Sequence, residues 1–91
     1  MAERKGGRAD QEVARALSHP IRVEILQALE GRIASPTELS GEIDQRPSVV
    51  SYHARTLLRC GCLELVHSRG RQGTIENFFA VTPRSLLSGG N

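Results

Sequence analysis

Two helix starts marked by proline lie close together in the middle of the chain, and this pair constrains the fold more than any other feature. At the first start, Ser35 and Glu38 have the spacing of a capping box, and Pro36 occupies the first helical position, where its missing N–H is harmless. At the second, Pro47 opens a longer helical run after the connector "DQR". Two helices joined by a tight turn are therefore predicted, which is a helix-turn-helix unit.

The residues before this unit predict two further helices and a short extended link. Apolar spacing indicates a first helix over about residues 10–17. The stretch "SHPIRVEILQALEG" indicates a second helix, with Pro20 in its first turn and Gly31 closing it. Residues 33–34 then form the extended link, and the third helix covers about residues 36–43.

Beyond Gly61 the pattern changes from helical to strand-like. The runs "CLELVHS" and "TIENFFAV" flank the basic loop "RGRQG", which predicts a hairpin with a charged tip at residues 68–73. Thr82 and Pro83 repeat the cap-then-proline signal and start a last helix, which stops in "SGGN". The predicted order is α-α-β-α-α-β-β-α, with the last helix a stub. This is a mainly α fold with a small β-hairpin, the winged helix-turn-helix arrangement.

Length and sequence motifs predict one small binding domain. The chain has 91 residues, which leaves little room for an enclosed catalytic cleft. The sequence has no glycine-rich phosphate loop, nucleophile elbow or metal-ligand cluster with catalytic spacing, so we expect no enzyme and no cofactor. Residues 10–87 are predicted to fold, with disordered tails at residues 1–9 and 88–91.

The sequence also predicts where the protein is found. No apolar run approaches the length of a membrane span, so no membrane partner is expected. The polar start "MAERKGGRAD" lacks the apolar stretch of a signal peptide. The predicted location is the cytoplasm.

The net charge of +2 conceals an uneven distribution. Residues 1–45 carry six Lys and Arg against eight Asp and Glu, whereas residues 46–91 carry six against two. The second half of the chain is therefore the better surface for an anionic partner.

The predicted fourth helix, residues 47–60, has one packed and one open side. Its apolar residues recur at helical spacing and predict the packed side. The opposite side, called the open edge below, carries Ser48, Ser51, Tyr52, Arg55 and Arg59. Across residues 46–68 the only acidic residue is Glu64, whereas an ordinary exposed helix interleaves both signs.

The open edge has the properties of a helix that reads the major groove of DNA. Ser48 and Ser51 permit a close approach and can bond phosphates or base edges. Tyr52 offers a hydroxyl and a flat face, and Arg55 can reach a guanine or a phosphate. Arg46 lies where the helix N-terminus would meet the phosphate backbone. Ordinary solvation of a polar helix face is the alternative interpretation.

The hairpin supplies a second predicted contact. Arg69 and Arg71 are placed at its tip, from which they would reach the flanking minor groove or its phosphates. Solubility of an ordinary turn is the alternative, and the neighbouring open edge favours the DNA contact.

Cys60 and Cys62 are the only cysteines and are separated by a single residue. They could close only a very small ring, so no structural disulfide is expected and both are predicted to be reduced. Two thiols alone cannot complete a four-ligand zinc site, and His53 is predicted to pack or cap instead of binding a metal. No metal is therefore expected, while a thiol switch at the two cysteines stays open as an alternative.

Four stretches carry a resemblance to a known family: "ALSHPIRVEILQAL", "TELSGEI", "SVVSYHARTLLRCGCLELV" and "RGRQGTIENFFAV". Over about residues 13–81 the chain resembles ArsR-type winged-helix transcriptional regulators of bacteria. Such regulators are usually homodimers that bind operator DNA and repress transcription until a signal releases them. The resemblance implies wing contacts at Arg69 and Arg71, and it adds Thr37 as a phosphate contact from the third helix. The recognition contacts that it implies come from four residues of the open edge: Ser48, Ser51, Tyr52 and Arg55.

The chain departs from the family pattern in several places. The stretch "TELSGEI" lacks the Cys-x-Cys pair that metal-sensing members often carry ahead of the recognition helix. Asp44 stands in the turn where glycine is usual, and Arg46 stands where a capping serine is commoner. The last helix offers little beyond Leu86 and Leu87 for a dimer. A homodimer is still expected, because two reading helices about one DNA turn apart multiply the affinity.

These observations predict a sequence-specific regulator that binds double-stranded DNA and acts as a repressor, with an unknown effector. Arg46, Arg69 and Arg71 would anchor phosphates, and base discrimination would come from Ser48, Ser51, Tyr52 and Arg55. A winged-helix protein-interaction adaptor without sequence-specific DNA binding is the second class, since a fold does not dictate a function. A thiol-responsive regulator that uses Cys60 and Cys62 is the third.

Overall fold

The computed structural model describes residues 11–83, apart from the side chain of Arg71. Residues 11–17 form helix α1. The elements that follow are α2 (Pro20–Ala28), α3 (Pro36–Glu42), α4 (Pro47–Arg59), β1 (Leu63–Arg71) and β2 (Thr74–Val81). This order confirms the predicted winged helix-turn-helix fold. Both predicted tails, and the predicted last helix after Pro83, lie outside the described residues.

The start of α3 is the capping box that the sequence predicted. The backbone N–H of Glu38 donates to Ser35 Oγ at 3.3 Å, and the backbone N–H of Ser35 donates to Glu38 Oε1 at 2.9 Å. Two N–H groups that the helix itself leaves unpaired are thereby satisfied. Pro36 fills the first helical position, so no donor is lost there.

The turn between α3 and α4 uses an aspartate where glycine was expected from the family pattern. Asp44 has a φ of +56°, the left-handed region in which most side chains are strained. Aspartate tolerates this region better than most residues, because its short polar side chain can bond locally. The turn therefore keeps its geometry without glycine, and α4 begins at Pro47.

The end of α2 differs slightly from the prediction. The helix stops at Ala28 with Leu29 as its C-cap, instead of continuing to Gly31. Gly31 lies in the following turn with a φ of +72°, a conformation that glycine adopts without steric cost. The chain then reaches Ala34, which pairs with Phe79 of β2 through two backbone hydrogen bonds of 3.1 and 2.9 Å. The predicted extended link is thus a single bridge to the hairpin.

The hairpin has longer strands and a tighter turn than predicted. Leu63–Arg71 and Thr74–Val81 pair antiparallel, with an irregularity between Leu65 and His67. Only Gln72 and Gly73 lie between the strands, with φ values of +51° and +83°. Two consecutive positive φ values are typical of the type I′ turn, which matches the twist of paired strands. The predicted extent of the loop "RGRQG", with its tip at residues 68–73, is therefore wrong, since β1 continues to Arg71.

A small aliphatic core holds α4 in place. The fully buried apolar residues of the helices and the bridge include Ile25, Leu29, Ala34, Leu39, Val50, Ala54 and Leu57. Burying a Leu, Ile or Val side chain stabilises the fold by about 1.5 to 3 kcal/mol. Three of the seven lie on α4, so this helix packs on one side against α2, α3 and β1 and keeps the other side free.

The described helices are all too short or too polar to cross a lipid bilayer.

Candidate nucleic-acid interface

The open edge of α4 faces away from the core, as predicted. Ser48, Tyr52 and Arg55 are exposed and Ser51 is half-buried, while Val50, Ala54 and Leu57 on the opposite side have no accessible surface. Tyr52 is 60% exposed although it is aromatic, so its ring is available to a partner instead of supporting the core. A slender polar face on a rigidly packed helix suits insertion into the major groove.

The N-terminus of α4 is open as well. Arg46 is the N-cap residue, with extended backbone angles, and its side chain makes no capping hydrogen bond. No acidic residue lies in the first turn. Pro47 has no N–H, and the backbone N–H groups of Val49 and Val50 both donate to the Arg46 carbonyl oxygen at 3.0 Å. The backbone N–H of Ser48 and the positive end of the helix dipole are therefore what this turn offers to an anion such as a phosphate.

A groove of about 300 Å³ lies beside α4, between α3 and β2, and it is called the hairpin groove below. It brings together four of the predicted contact residues, Thr37, Ser48, Ser51 and Arg55. Arg46 and Tyr52 are outside it, on the exposed surface of α4. Two separate elements thus present short hydroxyl side chains to one space beside a guanidinium group.

Glu76 is a member of the hairpin groove that sequence reasoning missed. Its Oε2 accepts a hydrogen bond from Ser35 Oγ at 2.8 Å, and its Oε1 lies 3.3 Å from Arg69 Nε. Only 10% of its side chain is exposed. The scarcity of acidic residues noted in α4 itself does not extend to this groove, because the carboxylate arrives from a strand 41 residues after Ser35.

The position of Arg69 corrects the predicted wing. Arg69 lies within β1 opposite Glu76, not at the hairpin tip, because the strands continue to Arg71 and Thr74. Its guanidinium lies 5.0 Å from the centre of the Phe78 ring and pairs with the Glu76 carboxylate. These contacts hold Arg69 against the sheet. Arg71 does reach the end of β1, and its side chain lies outside the described structure.

Sequence reasoning also missed a contact between α4 and α2, which is made by His53 and Arg22. His53 is buried, and its Nδ1 accepts a hydrogen bond from Arg22 Nε at 3.1 Å. The centre of the His19 ring lies 4.4 Å from the centre of the His53 ring. The Tyr52 ring meets the His53 ring edge-on, with 5.1 Å between their centres. Burial lowers the pKa of His53, and the nearby charges of His19 and Arg22 lower it further. The packed role predicted for His53 is confirmed, and its link to Arg22 had no sequence signal.

The two cysteines meet at the joint between α4 and β1. Their Sγ atoms are 3.3 Å apart, and Cys60 Sγ donates to the Leu57 carbonyl oxygen at 3.4 Å. Neither cysteine is in a disulfide, and Cys62 is buried while Cys60 is half-buried. Among residues 11–83, no group of three or more His, Cys, Asp or Glu side chains has an arrangement that could hold a metal ion.

Comparison with known proteins places these features in a family. The sequence pattern of the family described as "Bacterial regulatory protein, arsR family" matches residues 19–64, which run from the N-cap of α2 into β1. No curated protein matches the sequence.

Solved structures of similar fold cover nearly the whole chain. HlyU from Vibrio cholerae, in its reduced form, is 20% identical over 96% of this chain and 87% of its own, with a TM-score of 0.75. NolR from Sinorhizobium fredii is 19% identical over 98% and 85%, with a TM-score of 0.72. A homodimeric winged helix-turn-helix DNA-binding domain from Mycobacterium bovis, described as a possible ArsR-family regulator, is 18% identical over 89% and 70%, with a TM-score of 0.70.

The fold and the open edge define a winged helix-turn-helix domain of the transcription-regulator class. The match over residues 19–64 covers half of the chain and includes α2, α3 and α4. The chain belongs to the ArsR family of bacterial regulatory proteins.

Proposed function

We propose that the protein is a cytoplasmic, homodimeric repressor that binds specific sequences of double-stranded DNA, with α4 in the major groove. The observation that carries this proposal is the open edge of α4, whose exposed side chains are polar or basic while the opposite side is fully buried. A helix that is pinned to its domain by one side and free of carboxylates on the other can approach bases without rearrangement.

Phosphate anchoring is assigned to groups at the helix starts. Arg46 stands at the uncapped N-terminus of α4, where the helix dipole adds to its charge. Thr37 shares the hairpin groove with Ser48 and Ser51, so its hydroxyl can bond the same strand of backbone. These contacts would fix the position of α4 without reading sequence.

Base discrimination is assigned to Arg55, Tyr52 and the two serines of the open edge. Arginine can bond two acceptors of a guanine at once, and serine can donate or accept at either type of base pair. Glu76 borders the same groove, but its oxygens are already engaged by Ser35 and Arg69, so its expected role is to repel a misplaced phosphate. The groove therefore combines a guanine-directed cation with an anion held beside it.

The wing contact is assigned to Arg69 and Arg71, and the two are expected to contribute unequally to DNA affinity. Arg71 ends β1 next to the turn, so of the two arginines it would come nearer to a flanking DNA backbone. Arg69 would have to leave Glu76 and the Phe78 ring before bonding a phosphate, so its contribution to affinity should be the smaller.

The test compares Arg55→Ala with the wild type on a duplex selected from a random pool and on an unselected duplex. The loss on the selected duplex should be about 1 to 3 kcal/mol, with a smaller loss on the unselected one. Arg32→Ala is the matched control, because the Arg32 guanidinium is already bound to Glu42 at 2.7 Å. Equal losses on both duplexes would make Arg55 a phosphate contact. Unchanged α4 resonances in the presence of the selected duplex would contradict the proposal.

A salt titration separates this proposal from a protein-interaction adaptor. A protein that neutralises several phosphates loses DNA affinity steeply as salt rises, because condensed counterions are released on binding. An adaptor would show no salt-dependent affinity for duplex DNA.

The thiol pair supports a second candidate function, response to oxidants. The 3.3 Å between Cys60 Sγ and Cys62 Sγ requires only a small further approach to form a bond of about 2 Å. In this reaction a peroxide takes two electrons and the two thiol protons, the S–S bond forms, and the peroxide O–O bond breaks to give an alcohol and water. The joint between α4 and β1 would then be closed by a small ring.

Cys60→Ser tests this candidate, since a serine hydroxyl can still donate to the Leu57 carbonyl as the thiol does. Wild type treated with an alkyl hydroperoxide should lose both alkylatable thiols and change its affinity for the selected duplex. The variant should keep its affinity under the same treatment. Thiols that still alkylate after treatment, or an affinity that responds equally in both proteins, would remove the candidate.

A further inference from the structure

We propose that Arg15, Arg22 and Arg59 form a phosphate-binding site, called the arginine cleft below, on the side of α4 away from the hairpin groove. The cleft has a volume of about 330 Å³ and lies where α1, α2 and α4 meet. That volume falls at the lower end of the range of about 300 to 1,000 Å³ for small-ligand pockets.

Each arginine comes from a different helix, and two of the three are already positioned. Arg22 donates through Nε to His53, and Arg59 donates to Thr56 Oγ1 at 3.5 Å. Side chains that are restrained before binding lose less conformational entropy when a ligand arrives. The cleft is therefore partly organised without an occupant.

The charge of the arginine cleft is not balanced from within the described domain. Among residues 11–83, Glu12 is the only acidic residue that lines it. None of the three arginines forms an ion pair with a carboxylate of residues 11–83, in contrast to Arg32 with Glu42 and Arg69 with Glu76. Cationic side chains that converge on one space repel each other, and a bound anion would offset that repulsion.

Phosphate matches the cleft better than a carboxylate does. A phosphate group offers three acceptor oxygens and up to two negative charges, and the planar fork of a guanidinium bonds two such oxygens at once. Guanidinium groups from three different helices line the cleft and could share these oxygens. A single carboxylate has only two oxygens and one charge.

Two sources could supply the phosphate. Arg59 lies one helical turn after Arg55 on the open edge of α4, so a duplex seated on that edge would bring a backbone phosphate towards the cleft. This source rests on the proposed function. A small phosphorylated molecule is the other source, and it does not depend on DNA binding.

The experiment uses the full chain and pyrophosphate as the probe. Wild type, the double variant Arg15→Gln with Arg59→Gln, Glu12→Gln and the control Arg32→Gln are titrated while backbone resonances are followed. The double variant should bind pyrophosphate at least about tenfold more weakly, because two charge-assisted contacts are lost. Glu12→Gln should bind more tightly and Arg32→Gln should be unchanged. Arg22 is left intact because its substitution would also remove the His53 contact.

The salt dependence of affinity for an unselected duplex then distinguishes the sources. Weaker pyrophosphate binding with a salt slope reduced by about 0.9 per lost contact assigns the cleft to the DNA backbone. Weaker pyrophosphate binding with an unchanged slope assigns it to a small phosphorylated ligand. Absent pyrophosphate shifts in the wild type, or shifts that persist in the double variant, overturn the proposal. If the wild type showed no salt-dependent affinity for DNA, the DNA-binding proposal would be wrong. The arginine cleft would be unaffected, because the pyrophosphate titration contains no DNA.

Discussion

His53 accepts a hydrogen bond from Arg22 at a nitrogen that must be unprotonated, so the folded protein favours the neutral ring. Burial lowers the pKa of His53 below the ordinary value of 6.5, and His19 and Arg22 lower it further. Below pH 6.5 the unfolded chain therefore binds more protons at His53 than the folded protein does. The stabilising contribution is fully present above that pH and is lost as the pH falls.

Urea unfolding at several pH values checks this expectation. The free energy of unfolding of the wild type should decline as the pH drops from neutral towards about 5. His53→Gln should be less stable at neutral pH and should show a flatter dependence, with His19 and His67 still present in both proteins. An identical pH dependence in the two proteins would show that His53 does not titrate in this way.

The sequence predicted burial and exposure correctly where they follow from the spacing of residues within a single helix. The burial of Val50, Ala54 and Leu57 follows from helical spacing, and the open edge follows from the same periodicity. Glu76 and Arg22 were missed because their partners, Ser35 and His53, are 41 and 31 residues away along the chain. Contacts at that separation depend on how whole elements pack, which spacing within one helix does not report.

At the scale of elements, Ser35 at the start of α3 both caps that helix and bonds the helix start to β2. Ser35 Oγ accepts from Glu38 and donates to Glu76, and the side chain is fully buried. Ser35→Ala should lower the free energy of unfolding by about 1 to 2 kcal/mol, because a helix cap and a hydrogen bond to a carboxylate disappear together. Chemical denaturation measures the difference. Ser40→Ala, which removes only a hydrogen bond to the Thr37 carbonyl, should change it by less than about 0.5 kcal/mol.

The turn between α3 and α4 gives a second prediction at this scale. Asp44 holds a φ of +56°, which an alanine side chain tolerates poorly and a glycine tolerates without strain. Asp44→Gly should therefore be more stable than Asp44→Ala by about 1 kcal/mol, despite its greater freedom in the unfolded chain. Thermal or urea unfolding of the two variants decides this, and equal stability would show that the turn relaxes around alanine.

Element boundaries were predictable where caps and prolines mark them and less so in the hairpin. The starts of α3 and α4 agree with the sequence prediction. The hairpin tip was placed too early because "RGRQG" has two glycines, and only Gly73 lies in the turn. Arg69 was consequently assigned to a loop, while cross-strand pairing with Glu76 keeps it in β1.

For the whole molecule, the exposed apolar surface of α1 offers a test of the proposed homodimer. Leu17 is an apolar residue of this helix that is 40% exposed, so we expect the proposed homodimer to cover it. Leu17→Asp should weaken self-association at least about tenfold without unfolding the domain, because a charge would be buried at the interface. Sedimentation equilibrium measures the change. Ile75→Thr is the control, because Ile75 is 74% exposed next to the hairpin turn, and a variant Leu17→Asp that still dimerises like wild type would place the interface elsewhere.

The carboxylate of Glu76 has a consequence for the molecule as a DNA reader. It bonds Ser35, the residue ahead of α3, and Arg69 of β1, so this one carboxylate, with 10% of its side chain exposed, links the hairpin to the helix pair. If α4 and the hairpin both contact DNA, this link restricts how far the distance between them can change to fit a narrower or wider duplex. The adjustment then falls to the DNA, and sites made of easily deformed base steps would be favoured even at positions that no side chain touches.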